Sequence, residues 1–222
     1  MIESENQFGV IFDMDGVIID SFPYHLESTK IYIRQMGFDI SDQVIRDKYF
    51  GRTNKDWISE LHDGKLSLPQ LKQMGEEKEA IYRSLYEKDI QAVPGLHNFL
   101  ELLKSKQVKI GLGTSAPRSN VRFVTGKLQI FDYFDAILDE SHVTNGKPDP
   151  EIYLKVAEAL DLPNHKCIVI EDSNSGIESA RRAGSKVIGM ATTHSREELP
   201  LTDLTIDDFT QLQWDDLKAL IK

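Results

Sequence analysis

Short apolar runs alternate with amphipathic segments along most of this chain. The apolar runs are typical of buried parallel strands and cover residues 8–12, 108–112, 167–170 and 186–190, with a weaker run at 136–138. Helical periodicity separates them over residues 95–106, 118–128, 150–160 and 175–183. This alternation predicts an α/β fold, a doubly wound, Rossmann-like parallel sheet with helices on both faces.

One stretch breaks the alternation. Between residues 23 and 88 the pattern predicts four amphipathic helices and no convincing strand, with the helices over residues 24–36, 42–50, 55–61 and 68–86. Turn signals flank the stretch near residues 19–21 and 91–95, where Pro94 precedes Gly95. We therefore expect an α/β core from residues 1–20 plus 91–222 and an inserted four-helix cap domain at residues 21–90.

In doubly wound folds ligands bind just beyond the carboxyl ends of the strands, so the residues after each apolar run are candidates for chemistry. Asp13 and Asp15 follow the first run. Although an isolated Asp-x-Asp pair is commonly a solvated loop, two carboxylates after a buried strand repel each other unless a cation or a proton relieves them. Such a pair can bind magnesium and divide the roles of nucleophile and acid/base.

Thr114 and Ser115 follow the second long run, where a hydroxyl can bind a phosphoryl oxygen or simply cap the next helix. The same stretch, residues 111–116, also matches the GxGxxA dinucleotide fingerprint, with acidic residues about 20 positions further on. That fingerprint is short and lies deep in the chain rather than after the first strand, so a nicotinamide cofactor is the weaker hypothesis.

Lys147 lies in a loop before a predicted helix, where it is either a solvated charge or a cation for phosphate. It does not belong to a P-loop, because Pro148 follows it where Ser or Thr is required. Glu171 and Asp172 form a second acidic pair at the end of a buried strand. Asp172 could cap the next helix, but the two carboxylates can also complete an oxygen-rich magnesium site with the first acidic pair.

The composition narrows the range of partners. The 222 residues carry a formal net charge of −10, which disfavours nucleic acid and anionic membranes. An acidic protein that binds phosphate must supply positive charge locally, from a metal ion or from placed Lys and Arg side chains. The single cysteine, Cys167, the polar first residues and the lack of a long apolar run predict a cytoplasmic protein.

Together these candidates supply a carboxylate nucleophile, an acid, a hydroxyl, a cation and a metal site, which is the set that phosphoryl transfer requires. In kind and order the motifs resemble those of the haloacid dehalogenase superfamily, and within it the β-phosphoglucomutase-like group. The resemblance rests on Asp13-x-Asp15-Gly16-Val17, Thr114, Lys147-Pro148 and Glu171-Asp172. It extends over nearly the whole chain, including a helical cap after the first motif.

The resemblance implies a magnesium-dependent enzyme in which Asp13 attacks phosphorus and forms an aspartyl-phosphate. Asp15 would protonate the leaving group and then activate the next nucleophile. An Asp at this position also separates phosphatases and phosphomutases from dehalogenases, which lack it. Thr114 and Lys147 would bind the transferring phosphoryl oxygens. The magnesium would be held by oxygen atoms of Asp13, the backbone carbonyl of Asp15 and Asp172, with Glu171 supporting it through water.

In the cap, the resemblance points to His25, Arg52 and Lys78 as substrate-binding residues. His25 matches a histidine that couples cap closure to acid/base chemistry, and Lys78 fits a substrate-facing lysine of the mutases, although either side chain could be solvated. The mutases read Gly-x-Ser-Arg where this chain has Gly51-Arg52-Thr53-Asn54, and they carry a Lys where it has Pro117. Because a mutase must hold two phosphates, hydrolysis of a small phosphorylated metabolite such as a sugar phosphate is favoured over a β-phosphoglucomutase-type reaction.

Two other classes of protein stay open on the sequence. Receiver domains also combine acidic residues, Thr and Lys, but their phosphorylated Asp lies on a later strand and this chain is long for one. A catalytically inactive phospho-ligand binding module would keep the fold without turnover, although no motif residue is missing here. Relatives of this group are often monomers, and a monomer is expected.

Overall fold

The computed structural model describes residues 7–49 and 52–222. The chain divides into two compact units, Met1–Asp20 together with Ile90–Lys222, and Ser21–Asp89. We call the first the α/β unit and the second the helical unit. Phe50, the last residue of a predicted cap helix, and Gly51 of the cap loop lie outside the described residues.

The α/β unit is built on a parallel sheet of six strands. In chain order the strands β1–β6 are Gly9–Phe12, Lys109–Gly113, Ala136–Leu138, Cys167–Glu171, Lys186–Met190 and Leu204–Ile206. Their spatial order is β3-β2-β1-β4-β5-β6, so the first strand lies near the middle of the sheet and later strands are added outward in both directions. The predicted doubly wound α/β fold is confirmed.

The helical unit contains four α-helices among its described residues. The helices α1–α4 are Phe22–Gln35, Asp42–Val44, Asn54–Leu61 and Leu68–Tyr86, and a π-helical turn, Ile45–Tyr49, continues α2. The Ser41 and Thr53 hydroxyls accept backbone amides at the starts of α2 and α3, which fixes where these helices begin. Buried side chains that include Ile33, Trp57 and Ile58 give this unit a core of its own.

Five α-helices lie in the described part of the α/β unit. The helices α5–α9 are Leu96–Ser105, Arg118–Lys127, Glu151–Ala159, Asn174–Arg182 and Trp214–Ile221. Val156 of α7 and Ile177 of α8 share one apolar core with Ile11 of β1 and Val169 of β4. Because the central strands β1 and β4 are fully buried, their sequences are apolar instead of alternating, apart from Glu171 at the end of β4. None of the helices in the described ranges is both long and apolar enough to cross a membrane.

Two elements of the α/β unit were not predicted, β6 and α9. The strand β6 has three residues, of which Leu204 and Thr205 are only half-buried, so it leaves little apolar signal. The helix α9 has eight residues and buries Leu217 alone, which is too little for a clear period of 3.6. Both elements are therefore recognisable only in the tertiary structure.

The chain leaves the α/β unit and returns to it at neighbouring points. Ile19 and Ala92 form an antiparallel bridge, and the Val93 amide donates to the Ile18 carbonyl at 2.9 Å. The two ends of the inserted segment are thereby tied together by the α/β unit itself.

Candidate active site

The register of the three central strands brings the candidate side chains to one edge of the sheet. Phe12, the last residue of β1, pairs with Leu112 of β2 and with Ile170 of β4. The residues that follow these three are therefore neighbours. Asp13 is fixed there because its amide donates to the Ile170 carbonyl at 3.0 Å. Thr114 follows β2 at the same edge and is buried.

Lys147 reaches this edge from the loop before α7. Its ammonium donates to Asp13 Oδ1 at 2.8 Å, to Glu171 Oε1 at 2.7 Å and to the Gly113 carbonyl at 3.4 Å. The same ammonium lies 4.9 Å from the centre of the Tyr153 ring. Lys147 is therefore a buried partner of two carboxylates and not a solvated surface charge.

The first turns of α7 hold the loop that carries Lys147. Glu151 accepts the amides of Thr144 and Asn145, both at 2.9 Å, and the Lys155 ammonium at 2.5 Å. The hydrogen bond from Lys155, followed by those from the two amides, lowers the pKa of Glu151 to about 2. Glu151 is thus charged at any physiological pH and fastens the loop to the helix.

Three buried carboxylates surround this one buried cation. Burial raises the pKa of Asp13 to about 7, against the lowering effect of Lys147. Burial, and then the charges of Glu171 and Asp13, raise the pKa of Asp172 well above its usual range. Burial also acts to raise the pKa of Glu171, but Lys147 and several hydrogen bonds outweigh it and hold that pKa below its usual value. The excess of carboxylates favours a further cation at this edge.

The donor atoms fit a divalent cation that prefers oxygen. One carboxylate oxygen from each of Asp13, Glu171 and Asp172 lies within 4.8 Å of the others. A set made of carboxylates, without His or Cys, suits a hard ion such as magnesium. The Thr193 side chain is hydrogen-bonded to Asp172 and helps to orient it.

Gly16 allows the loop after β1 to approach Asp172 closely. It has a φ of +78°, and a Cβ at this position would lie 1.9 Å from Asp172 Oδ2. Its carbonyl accepts the Thr192 hydroxyl. Asp15, the preceding residue, is half-buried and close enough for its charge to add to burial in raising the pKa of Asp13. The loop therefore brings the first acidic pair and Asp172 together.

Gly16→Ala is expected to destabilise the chain more than alanine at a glycine in open space. Gly184 has a φ of +81° and no atom within 4 Å of an added Cβ. Gly184→Ala should therefore show the backbone cost alone, about 1–2 kcal/mol. Gly16→Ala adds the overlap with Asp172 and should cost about 1–3 kcal/mol more. Urea unfolding followed by circular dichroism measures both, and equal losses would show that the contact with Asp172 carries no energy.

Three residues at this edge were not among the sequence candidates. Tyr153 lies among the apolar residues of α7 and donates its hydroxyl to Glu171 Oε1 at 2.8 Å. A buried tyrosine needs a partner for its hydroxyl, and this is the signal that could have found it. Thr192 and Thr193 follow β5, so the rule that ligands bind beyond strand ends points to them as well.

The GxGxxA stretch has a packing explanation. A Cβ on Gly111 would lie 2.5 Å from Cγ1 of Val156, so glycine lets α7 pack directly on β2. The Thr114 hydroxyl accepts the Ala116 amide at 3.0 Å, while Ser115 is exposed. Close helix packing thus accounts for the glycine without a dinucleotide, and both hydroxyls stay candidates for binding a phosphoryl group.

Within the helical unit, His25 and Lys78 belong to one polar cluster. His25 Nδ1 lies 3.0 Å from Lys78 Nζ, and the His25 ring stacks on Tyr82 with ring centres 3.9 Å apart. Lys78 donates to Glu79 Oε1 at 2.9 Å, and the same oxygen accepts Asn54 Nδ2 at 2.7 Å. The Lys78 side chain is 5% exposed, so this lysine is not the solvated charge that its helix suggested.

Arg52 is the third cap residue singled out by the sequence. Its guanidinium donates to Glu60 Oε2 at 2.6 Å, and Lys48 binds the other oxygen of Glu60 at 2.6 Å. Arg52 is 39% exposed, so this is a surface ion pair. Each predicted cap cation, Arg52 and Lys78, therefore has a carboxylate partner within the helical unit.

Similarity to known proteins covers most of the chain. The model of the haloacid dehalogenase-like hydrolase family matches residues 10–190. A phosphorylated carbohydrates phosphatase of Thermotoga maritima is 36% identical over 179 residues, which are 79% of this chain and 81% of that protein. The β-phosphoglucomutase of Bacillus subtilis is 30% identical over 188 residues, 82% of each chain. The crystal structure of a family IA, variant 3 hydrolase from Entamoeba histolytica has a TM-score of 0.87 at 31% identity and covers 97% of this chain and 99% of that one.

Proposed function

Because this chain belongs to the haloacid dehalogenase-like hydrolase family, we propose that it transfers a phosphoryl group from a small phosphorylated metabolite to Asp13 and then to water. The observation that carries the proposal is Lys147, buried between Asp13 and Glu171. A carboxylate nucleophile and a fixed cation meet where a phosphoryl group needs both. The relatives named as a phosphatase and as a phosphomutase support the same class of reaction.

We assign one role to each residue at the sheet edge. Asp13 attacks phosphorus, and the bond from phosphorus to the leaving oxygen breaks as the aspartyl-phosphate forms. Asp15 gives its proton to that oxygen and then takes a proton from a water molecule that attacks phosphorus. As the water oxygen bonds to phosphorus, the bond from Asp13 to phosphorus breaks, which releases phosphate and restores the carboxylate. Thr114, Ser115 and Lys147 bind the phosphoryl oxygens and offset their charge.

We assign Mg²⁺ to this site, with Asp13, the backbone carbonyl of Asp15 and Asp172 as its protein ligands. When bound, it would supply positive charge that offsets the charge of the phosphoryl oxygens. The oxygen-only donor set and the excess of buried carboxylates support the assignment.

The pairing of the cap cations favours hydrolysis over the mutase reaction. A mutase must bind a second phosphate, and Arg52 and Lys78 are the cap cations that the sequence offers for it. Arg52 is bound to Glu60 at 2.6 Å, and Lys78 to Glu79 at 2.9 Å. A second phosphate would have to displace a carboxylate from one of them, which costs part of its binding energy. A sugar monophosphate makes no such demand.

A two-product assay separates the two reactions. Purified protein with Mg²⁺ is given β-glucose 1-phosphate and a trace of the glucose bisphosphate, and free phosphate and glucose 6-phosphate are followed together. We expect free phosphate without isomerisation, here or from another sugar monophosphate in a wider panel. Rapid formation of glucose 6-phosphate with little free phosphate would instead establish the mutase. Failure of every phosphoester tested would favour an inactive phospho-ligand binding module.

We propose that the helical unit selects the substrate through the cluster around His25 and Lys78. The buried Lys78 and the stacked His25 place hydrogen-bonding groups on two packed helices, α1 and α4, and sites built on helices are positioned more precisely than sites on loops. A monomer in the cytoplasm stays our expectation for the working form, and size-exclusion chromatography with light scattering tests the first part.

A further inference from the structure

Glu171 differs from the other carboxylates of the site in the number of hydrogen bonds that it accepts. Its Oε1 accepts Lys147 Nζ at 2.7 Å and the Tyr153 hydroxyl at 2.8 Å. Its Oε2 accepts the amides of Asp172 at 2.9 Å and Ser173 at 3.0 Å, and the Ser173 hydroxyl at 3.1 Å. A carboxylate has about four lone-pair positions, so these donors occupy them all.

The surroundings of Glu171 also disfavour a metal ion. The side chain is fully buried, and a Cβ on Gly176 would lie 1.6 Å from Oε1, so the start of α8 closes over the carboxylate. A divalent cation on Oε1 would share that oxygen with the Lys147 ammonium and be repelled by it. On Oε2 the cation would have to displace backbone amides. Because these amides are buried, no water molecule could replace the lost acceptor.

We propose that Glu171 is a positioning residue for Lys147 and not a ligand of the metal ion, and that Tyr153 fixes Glu171 in that role. Tyr153 and Lys147 share Oε1, so the carboxylate, the ring and the loop lysine form one unit. Lys147 is thereby held in place before a phosphoryl group binds. Its side chain therefore loses no conformational entropy during the reaction. The metal then depends on Asp13, Asp15 and Asp172. The inference rests on the proposed function for its kinetic part only.

Metal binding without substrate is the first test. Mn²⁺ replaces Mg²⁺ in this experiment. Electron paramagnetic resonance measures the concentration of free Mn²⁺ as the wild type, Glu171→Gln and Asp172→Asn are titrated. Asp172→Asn removes a charged ligand and should weaken Mn²⁺ binding by about 30-fold or more. Glu171→Gln should leave the dissociation constant within about threefold of the wild-type value. Equal weakening by both substitutions in folded protein would overturn the inference.

Tyr153→Phe serves as the second variant, because it removes one hydrogen bond and no charge. Loss of a hydrogen bond to a charged group should lower kcat by about tenfold, while KM and the Mn²⁺ affinity change by less than about threefold. A purely structural role for Tyr153 would lower the melting temperature and leave kcat of the folded protein intact. Tyr133→Phe is the matched control, since Tyr133 donates to Glu101 at the surface of the same unit, and its kcat should not change.

Tyr153→Phe also tests whether Glu171 is a metal ligand if the Glu171→Gln variant does not fold. If Glu171 were a metal ligand, losing the partner that orients it would weaken Mn²⁺ binding by about 10–100-fold. Such a loss, or an unchanged kcat in Tyr153→Phe, would overturn the inference. The metal titration needs no turnover, so a protein that binds Mn²⁺ as expected and hydrolyses no phosphoester would refute the proposed function while leaving the metal assignment intact.

Discussion

Asp13→Asn is expected to lower kcat by about 10⁴–10⁶-fold while the chain stays folded. The amide has nearly the same shape as the carboxylate but cannot form the phosphoryl bond. A neutral group is tolerated at this position, because burial already raises the pKa of Asp13 to about 7. Phosphate release at saturating Mg²⁺ measures the loss. An acid quench followed by hydroxylamine should reveal an acyl-phosphate in the wild type and none in the variant.

Asp161→Asn is a suitable control for this substitution. Asp161 is exposed just beyond α7 with a φ of +56°, a conformation that Asn also accepts. The substitution removes one carboxylate from the same unit without changing the sheet edge, so kcat of the Asp161→Asn variant should equal that of the wild type. Near-normal phosphate release from Asp13→Asn would remove Asp13 from the mechanism.

Lys147→Met is expected to affect both stability and turnover. The substitution keeps an unbranched side chain, one atom shorter, and removes the charge that lies between Asp13 and Glu171, at 2.8 Å and 2.7 Å. Breaking a buried ion pair by removing one partner costs about 3–5 kcal/mol, because the remaining charge is left buried. Loss of one fixed positive donor at the phosphoryl group should lower kcat by a further factor of about 10²–10³.

Urea unfolding in EDTA measures the first effect and phosphate release the second. Lys186→Met is the matched control, because Lys186 binds Asp203 at 3.0 Å in a pair whose side chains are 45% and 32% exposed. A pair so exposed contributes about 1 kcal/mol or less. Equal losses of unfolding free energy in the two variants would mean that burial adds nothing to the Lys147 pair.

The fold was predictable wherever burial is nearly complete. The strands β1, β4 and β5 lie in the interior, so almost every position is apolar and the run is visible without any knowledge of its neighbours. The edge strand β6 and the helix α9 bury few residues, and only the tertiary structure reveals them. The spacing rules find the candidate residues one at a time, whereas the family resemblance relates them to one ordered set of motifs.

The candidate site was likewise predictable from the sequence only in part. Asp13, Thr114 and Asp172 follow apolar strands and Glu171 is the last residue of one, so the rule about strand ends finds them. The spacing alone did not separate the roles of Glu171 and Asp172, because the two carboxylates are adjacent in sequence. The resemblance assigned Asp172 to the metal and Glu171 to a supporting role through water, whereas the hydrogen-bond donors around Glu171 became visible only in the structure. Tyr153 comes from a helix and is joined to the site by one hydroxyl, which no sequence period records.

The bridge between Ile19 and Ala92 has a consequence for how proteins of this kind diversify. The α/β unit fastens the two ends of the insert to each other, and the entropy of closing a loop rises only slowly with its length. Segments are most easily exchanged where chain ends lie close together. We therefore expect that a foreign cap, grafted between Ile19 and Ala92, would leave the strand register undisturbed. The chemistry of the sheet edge and the sequence of the insert can then be inherited separately.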